Sequence, residues 1–540
     1  MTSSAIPSRH IPVLIVGAGL AGLTAATLLA WRGVSCLLVE RRASTSRHPR
    51  ARGLNMRSLE LLRGVPGLEA DLAAASPFAA DEISIVIAES VTGRVFRTLI
   101  APGDTDSSAL SPSPLCMAGQ DRVEPILLAH ARALGADIRF STEVTSFGQD
   151  GRGVAAALRD VRTGETTYVT ADYLIAADGN RSPARRALGI GVHGHGVLSN
   201  NMSILFEADL GATSRERAFA LYFLRNPAFT GAFVSSDDPN VAVVSREYDP
   251  ARESLADFPP ARAADIVRAA LGLPGLDVAV LDVTAWEMSS QVADRMAVGR
   301  VFLAGDAAHT MPPTGGLGGQ TAIQDGADLA WKLAAVLRGE ADPPLLDTYA
   351  AERQPVAELT VAHAAANYFE RLRPDRADPS AAVAAPDWLT AAMGYRYASA
   401  AVQREAGDDG RASEDPRHPS GRPGFRLPHA LAMRGAKKIS TLDLVGPGFA
   451  LIAGPDGAAW SEAARRLELP AFRFDAELGG DPAPFLASAG LEADGALLIR
   501  PDGFIAARWK RAEREAAAEL EAALARARGR AGERGRERAA

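Results

Sequence analysis

The chain has 540 residues, more than one hydrophobic core organises, which predicts roughly three domains. Its 47% hydrophobic and 23% charged residues fit a globular protein, and a net charge of −7 gives no electrostatic pull toward nucleic acid or anionic lipid. The two cysteines, Cys36 and Cys116, form no Cys-x-x-Cys pair, which excludes a disulfide scaffold or thiol redox centre and makes a reducing cytoplasm the expected compartment.

Ile11–Trp31 is free of charge and long enough to imitate a transmembrane helix, with Arg9 and His10 ahead of it like a signal-peptide start. Gly17, Gly19 and Gly22 interrupt it, so strand-then-helix is the better reading and no membrane partner is expected. Val13–Val16 reads as a β-branched strand, the residues up to Ala30 as a helix, and "SCLLVE" as a second buried strand. This β-α-β unit predicts a parallel sheet. "GAGLAG" joins strand to helix, and Glu40 lies 18 residues past Gly22 at the next strand's end. That is the dinucleotide-binding fingerprint in its full context. Its glycines let the backbone approach a pyrophosphate. Leu20 and Ala21 open a helix whose N-terminus offers partial positive charge. Glu40 accepts from ribose hydroxyls, and Arg41 follows it at the same edge.

Residues 55–63 and 121–134 carry apolar positions at helical spacing, and 136–147, 153–161 and 166–179 read as strands. "YLIAADGNRSPARRALGI" ends a strand at Asp178-Gly179, placing Asp178 to bond a ribose or pyrophosphate and Arg185 to brace the loop. From about 191 to 285, runs such as "MSILFEADL", "FALYFL" and "VAVVSREY" between turn residues predict a mostly antiparallel sheet inserted into the first domain. "VFLAGDAAHTMPPTGGLGGQ" (Val301–Gln320) ends a buried strand at Gly305 and puts Asp306 where open α/β sheets hold ligand groups. Its glycines allow backbone N–H groups to lie against a flat ring, while Pro312-Pro313 stiffens the wall beside that ring. The helix predicted from about Gly319, strong over Thr321–Leu337, points its positive end back at the loop. Residues 345–373 predict one or two helices, 403–424 a polar linker, 425–510 a small α/β module, and 511–540 a solvated helical or disordered tail.

These three motifs in this order resemble the class A flavoprotein monooxygenases, the para-hydroxybenzoate hydroxylase-like family, over about residues 11–370. The likeness is closer still to the aromatic polyketide hydroxylases, the aklavinone hydroxylases among them. "QDRVEPILLAHA", "ADGNRSPARRALGIG", "GRVFLAGDAAHTMPPTGG" and, near the end, "SGRPGFRLPH" and "LLIRPDG" carry it. The resemblance implies an α/β architecture in three parts. A Rossmann-like FAD-binding domain spans 1–80, 105–190 and 285–402. An inserted antiparallel-sheet substrate domain spans 81–104 and 191–284, and a thioredoxin-like domain without redox cysteines spans 425–510. It implies an NADPH-consuming monooxygenase of antibiotic biosynthesis, monomeric or homodimeric, that adds O2 at flavin C4a and passes one oxygen to a polycyclic aromatic substrate. By position it implies Arg50 beside the flavin, aiding its reduction, and Gln120 on the ribityl chain. Asp178 and Asp306 would hold the pyrophosphate and ribityl groups, with Pro313, Gly316, Gly318 and Gly319 around the ring. Gln320 departs from the Asn that many relatives carry there.

A phenol carbon attacks faster from its phenolate, and free phenols ionise at about pH 10, so the site needs a cation or a proton acceptor. Tyr222 in the inserted sheet and Arg371 in "ANYFERLRPD" are the catalytic candidates. Their plainer readings are a core aromatic and a solvated helix charge. His193 and His195 read as loop residues lacking the further ligands a metal needs, so no metal is expected; His309 stays unassigned. No G-x-S-x-G elbow supports a serine hydrolase, and no W-x-W pair supports a flavin halogenase. The Asp178-Gly179 and Gly305-Asp306 motifs disfavour the related escort proteins of prenylated GTPases. Baeyer–Villiger insertion, or inactivation of an aromatic antibiotic, would use the same cofactor and stays open.

Overall fold

Arg9–Val16 sits at the centre of a parallel sheet because its apolar side chains meet cover on both faces. The strands run Val301–Leu303, Thr166–Ala176, Arg9–Val16, Cys36–Val39, Asp137–Arg139, all mutually parallel. A computed structural model describes residues 9–46, 51–77, 79, 82–104, 106–211, 219–376, 386–512 and 515–530. The charge-free run divides as expected, into this central strand and the helix Leu20–Trp31 of 12 residues. Among the described residues no helix is long and apolar enough to cross a membrane.

Leu20–Trp31 packs along the helix Gly318–Leu337. Gly326 permits the approach, since a Cβ there would stand 2.4 Å from the Ala21 carbonyl oxygen. The second helix starts within one residue of the expected start at about Gly319, and its first turn is built from the glycines themselves. Residues 345–373 form one helix, Pro344–Arg371, which continues through Pro355.

The second sheet has the order His309–Thr310, Ala279–Ala293, Val192–Glu207, Val241–Glu247, Phe229–Ser235, Phe219–Asn226, Ile83–Ala88, Val95–Ile100. Only the pairing of Phe219–Asn226 with Ile83–Ala88 is parallel. Ala279–Ala293 runs past the expected limit at 284, because one long strand both closes this sheet and carries the chain back to the first. Alternation gives the sheet two apolar faces. Met202, Ile204, Tyr222, Leu224, Phe233 and Val244 belong to the core with Pro260–Leu271. Leu221, Phe223, Val234, Val243 and Trp286 line a cavity on the other side. His193 and His195 start the Val192–Glu207 strand rather than a loop, and His193 Nδ1 lies 2.9 Å from Asp294. Among the described residues no cluster of ligating side chains suits a metal.

The C-terminal sheet is Ala471–Arg473, Ala450–Ala453, Ala496–Ile499, Ile505–Trp509, flanked by Ala458–Arg466, Ala483–Ala489 and Ala516–Ala527. The expected solvated tail is corrected here. Ala516, Leu520, Ala523, Leu524 and Ala527 form an apolar stripe at helical spacing, buried with Trp460, Leu451 and Trp331. Residues 531–540 lie outside the described residues. The expected linker 403–424 has no helix or strand, yet it is pinned. Arg508 forks onto Glu405 at 2.7 Å through each nitrogen, and Arg396 onto Asp408 at 2.7 and 2.6 Å.

Candidate active site

The two layers enclose a continuous cavity of about 2360 Å³, with the motif loops at one end and the second sheet as a wall at the other. Gly17 turns the chain at φ +106 against Ala177, and a Cβ on Gly22 would stand 2.0 Å from the Gly17 oxygen. Gly22 therefore serves helix-on-strand packing and does not line the cavity. Gly17, Gly19, Leu20, Ala21, Glu40, Arg41, Gln120, Asp178, Asp306, Pro313, Gly316, Gly318 and Gly319 do line it. Arg50 lies outside the described residues.

The cradle suits a dinucleotide carrying a flat ring. Leu20–Trp31 and Gly318–Leu337 both start without a side-chain cap or an acid in the first turn. Their first N–H groups are orphan donors, and both starts carry partial positive charge. A Cβ at Gly316 would meet nothing within 4 Å, so bare backbone faces open space there. Glu40 ends its strand with Oε2 accepting from Ala18 N at 2.9 Å, which fixes the carboxylate at the cavity's edge. Gln120 Nε2 donates to the buried Glu124 at 2.6 Å.

Asp178 spends both oxygens within its own loop, accepting from Ser182 Oγ at 2.5 Å and Ala184 N at 2.9 Å. Burial pushes its carboxyl above the ordinary value against those bonds. Arg185 braces the loop as expected, donating to the carbonyls of Ala307 at 2.7 Å and Asn180 at 3.0 Å. His309, unassigned from sequence, supports the Gly305–Asp306 turn from below. Its Nε2 lies 2.7 Å from Asp325, which also accepts from Gly305 N at 2.9 Å and Arg353 Nε at 2.8 Å. Burial raises the Asp325 carboxyl, but Arg353 and His309 outweigh it and hold it below its ordinary value.

Gln320 uses both ends of its amide. Its Oε1 accepts from Asn55 N at 3.0 Å and Ser58 Oγ at 2.8 Å, and its Nε2 donates to Gly53 O at 2.7 Å. The amide thus staples residues 53–58 to the start of the loop's helix. Asn55 and Ser58 gave no signal in the sequence, being 262 and more residues away from Gln320.

The two catalytic candidates part company. Tyr222 is 2% exposed, packs edge-on to Phe233 at 5.9 Å in the core with Pro260–Leu271, and does not line the cavity. Strand alternation turns it away and brings Leu221 and Phe223 inward, so the expectation of a catalytic tyrosine is withdrawn. Arg371 does line the cavity. Its Nη1 donates to Thr314 O in the glycine loop at 2.5 Å, its Nη2 to Asn367 at 2.9 Å, and its guanidinium lies 5.7 Å from the Phe223 ring centre. Its Nε is buried without a hydrogen-bond partner. Burial lowers its pKa from the ordinary value, with Glu370 and Arg97 opposing each other as lesser influences; a guanidinium stays charged regardless.

The wall also carries a polar post that sequence reading missed. Trp286 Nε1 donates to Ser203 Oγ at 2.9 Å, and Ser203 Oγ lies 2.7 Å from Ser245 Oγ. Period-two counting from Leu221 would have found the inward positions, but not that three strands bring these ones together.

Residues 10–364 match the family model of the FAD binding domain, and residues 420–531 that of the aromatic-ring hydroxylase C-terminal region. The chain is 45% identical to aklavinone 12-hydroxylase DnrF of Streptomyces peucetius subsp. caesius, over 86% of this chain and 95% of that one. It is 43% identical to aklavinone 12-hydroxylase RdmE of Streptomyces purpurascens, over 96% and 99%. The solved structure of aklavinone-11 hydroxylase with FAD and aklavinone superposes with a TM-score of 0.90 at 40% identity, covering 97% of this chain and all of that one. With an uncapped pair of helix starts facing one cavity, and a family match over both ends of the chain, the protein belongs to the FAD-dependent aromatic-ring hydroxylases.

Proposed function

We propose that the protein hydroxylates a polycyclic phenolic polyketide of the aklavinone type, and that Arg371 holds the reacting phenolate. One observation carries this reading: Arg371 lines the cavity where the flavin loop meets the apolar wall. The fused rings would lie between the glycine loop and the wall of Leu221, Phe223, Val234 and Val243. A phenol oxygen near Arg371 would be drawn toward its ionised form, since an adjacent cation favours the anion. The Ser203–Ser245 post offers a hydroxyl to a second substrate oxygen.

FAD, when bound, accepts hydride from NAD(P)H and activates O2 for transfer. Glu40 and the start of Leu20–Trp31 would hold its adenosine and pyrophosphate. Gln120, Asp178 and Asp306 would face the chain between pyrophosphate and ring, with residues 313–319 against the ring itself.

The test is product mass after incubation of the FAD-loaded protein with NADPH, isotopically labelled O2 and a panel of tetracyclic and angular phenols that includes aklavinone. One labelled oxygen on intact rings, lost in R371A with FAD still bound, is the expected result. A labelled lactone or opened ring would replace hydroxylation with oxygen insertion into a ring. Product formed equally well by R371A would remove Arg371 from the mechanism.

A further inference from the structure

Arg371 does not reach the flavin loop unaided. His363, Asn367 and Arg371 stand four residues apart on Pro344–Arg371 and share one face. His363 Nδ1 lies 3.0 Å from the Pro386 carbonyl oxygen, and Asn367 Nδ2 lies 2.9 Å from His363 Nε2. Asn367 Oδ1 accepts from Arg371 Nη2, and Arg371 Nη1 donates to Thr314 O. The ring also touches the loop, since a Cβ on Gly315 would meet His363 Cδ2 at 3.3 Å.

Both ends of this chain of bonds are chemically fixed. A carbonyl only accepts, so His363 Nδ1 carries the proton. A guanidinium only donates, so the Asn367 oxygen faces Arg371 and its NH2 faces the ring. The ring nitrogen it meets, Nε2, is then the bare lone pair. Only a neutral imidazole fits. A proton on Nε2 sets N–H against NH2, and turning the amide to relieve that sets NH2 against the guanidinium. Either way one link breaks.

We propose that His363 and Asn367 are positioning residues, in which a neutral, Nδ1-protonated imidazole fixes the Asn367 amide and thereby holds Arg371 against the flavin loop. The functional side of this inference rests on the substrate role of Arg371 given above. Among the described residues, the charged groups facing the ring are Arg371 on its own helix and Asp387, ahead of the helix Trp388–Met393. The loop from 311 to 318 carries no titratable side chain. Burial, and secondarily Arg371, depress the imidazole pKa against the bond to Pro386 and the charge of Asp387.

The test is nitrogen NMR of the FAD-loaded full chain with isotope-labelled histidine, His363 being assigned by its loss in H363Q. The expected result is the Nδ1–H tautomer, protonated only below the ordinary imidazole range. In N367D a carboxylate replaces the NH2, and proton affinity at His363 should rise at least tenfold. NADPH oxidation supported by aklavinone should fall at acid pH with the same titration. H363Q, whose amide still offers an acceptor to Asn367 and a donor to Pro386, should keep neutral-pH activity and lose the acid limb. An Nε2–H tautomer, a titration unmoved by N367D, or an acid limb persisting in H363Q overturns the proposal. Should the tautomer and the N367D shift hold while R371A binds and hydroxylates aklavinone normally, the positioning stands, and the substrate role of Arg371 is what fails.

Discussion

Replacing Gly326 by Ala sets two effects against each other. In an exposed helix interior the change would stabilise by about 0.5–1 kcal/mol, because glycine loses more backbone freedom on folding. Here the new Cβ would stand 2.4 Å from the Ala21 oxygen and 3.1 Å from Ala25 N, both backbone atoms. Carbon rests against a carbonyl oxygen at about 3.3–3.6 Å, so the two helices must part by about 1 Å. Ala21, Ala25, Leu28, Ile323, Leu329 and Ala330 are all buried in the same core and resist that shift. Overpacking of this kind costs about 1–3 kcal/mol, which exceeds the propensity gain. Net destabilisation of about 1–2 kcal/mol is expected. Both helices present their starts to the cavity, so FAD binding should bear much of it. A tenfold weaker FAD Kd corresponds to about 1.4 kcal/mol. The assay is FAD fluorescence titration, with calorimetry of the apo and FAD-loaded protein. A melting temperature raised or unchanged in G326A, with FAD Kd unaltered, would refute the reasoning and show that the helices slide past the added methyl freely.

W286F keeps the aromatic wall but removes the donor to Ser203; a neutral hydrogen bond contributes about 0.5–1.5 kcal/mol, so KM for the phenolic substrate should rise about two- to tenfold at unchanged FAD Kd, in steady-state kinetics. E352Q leaves Lys332 and Arg500 short of counter-charge in a fully buried cluster, and a loss of about 3–5 kcal/mol should appear as a lower urea midpoint and faster proteolysis near residues 403–424. For His363 the folded pKa is depressed by burial below the ordinary 6.5, so its contribution to stability is present above that pH and is lost as pH falls through the depressed value. Urea midpoints across that window should fall with pH in the wild type and fall less in H363Q.

Local chemistry was legible in the sequence, and distant pairings were not. Gly17, Gly19, Glu40, Asp178 and Asp306 announce themselves because the dinucleotide cradle is built from short segments in which spacing fixes geometry. Tyr222 was misplaced because a strand residue's face depends on register, and one position reverses it. Nothing in "FALYFL" says that Leu221 and Phe223, not Tyr222, face the cavity. The last helix reads as a solvated tail because Ala and Arg dominate it, yet its alanines are buried in one cluster with Trp460 and Leu451. His363 and Asn367 have helical spacing to Arg371, but their meaning requires Thr314 and Pro386, which only the tertiary structure supplies. Nothing in the sequence around Gly326 signals its close contact, because its partner, Ala21, lies about three hundred positions earlier.

The C-terminal part contributes charge rather than chemistry to this site. Cys36 and Cys116 both lie outside it and are buried. What it brings is the turn Arg500–Gly503. Arg500 forks onto Glu352 at 2.6 and 2.8 Å and reaches Asp502 at 2.6 Å, while Lys332 bridges Glu352 and Asp328 at 2.7 Å each. Asp502 accepts from Trp331 Nε1 at 3.2 Å, and its carbonyl accepts from Arg57 at 2.5 Å. Arg57 adjoins Ser58, the partner of Gln320. The same turn therefore grips both elements that the Gln320 staple joins, the Met56–Leu62 helix and Gly318–Leu337. Buried charges cost several kcal/mol each when unpaired and roughly break even when paired. Without Arg500, Glu352 would lose its bidentate guanidinium and share Lys332 with Asp328 as the one remaining cation, while Arg57 would lose the Asp502 carbonyl and keep Glu60. A module with no redox cysteine thus completes the hydrogen bonding of a buried charge cluster in the FAD-binding part.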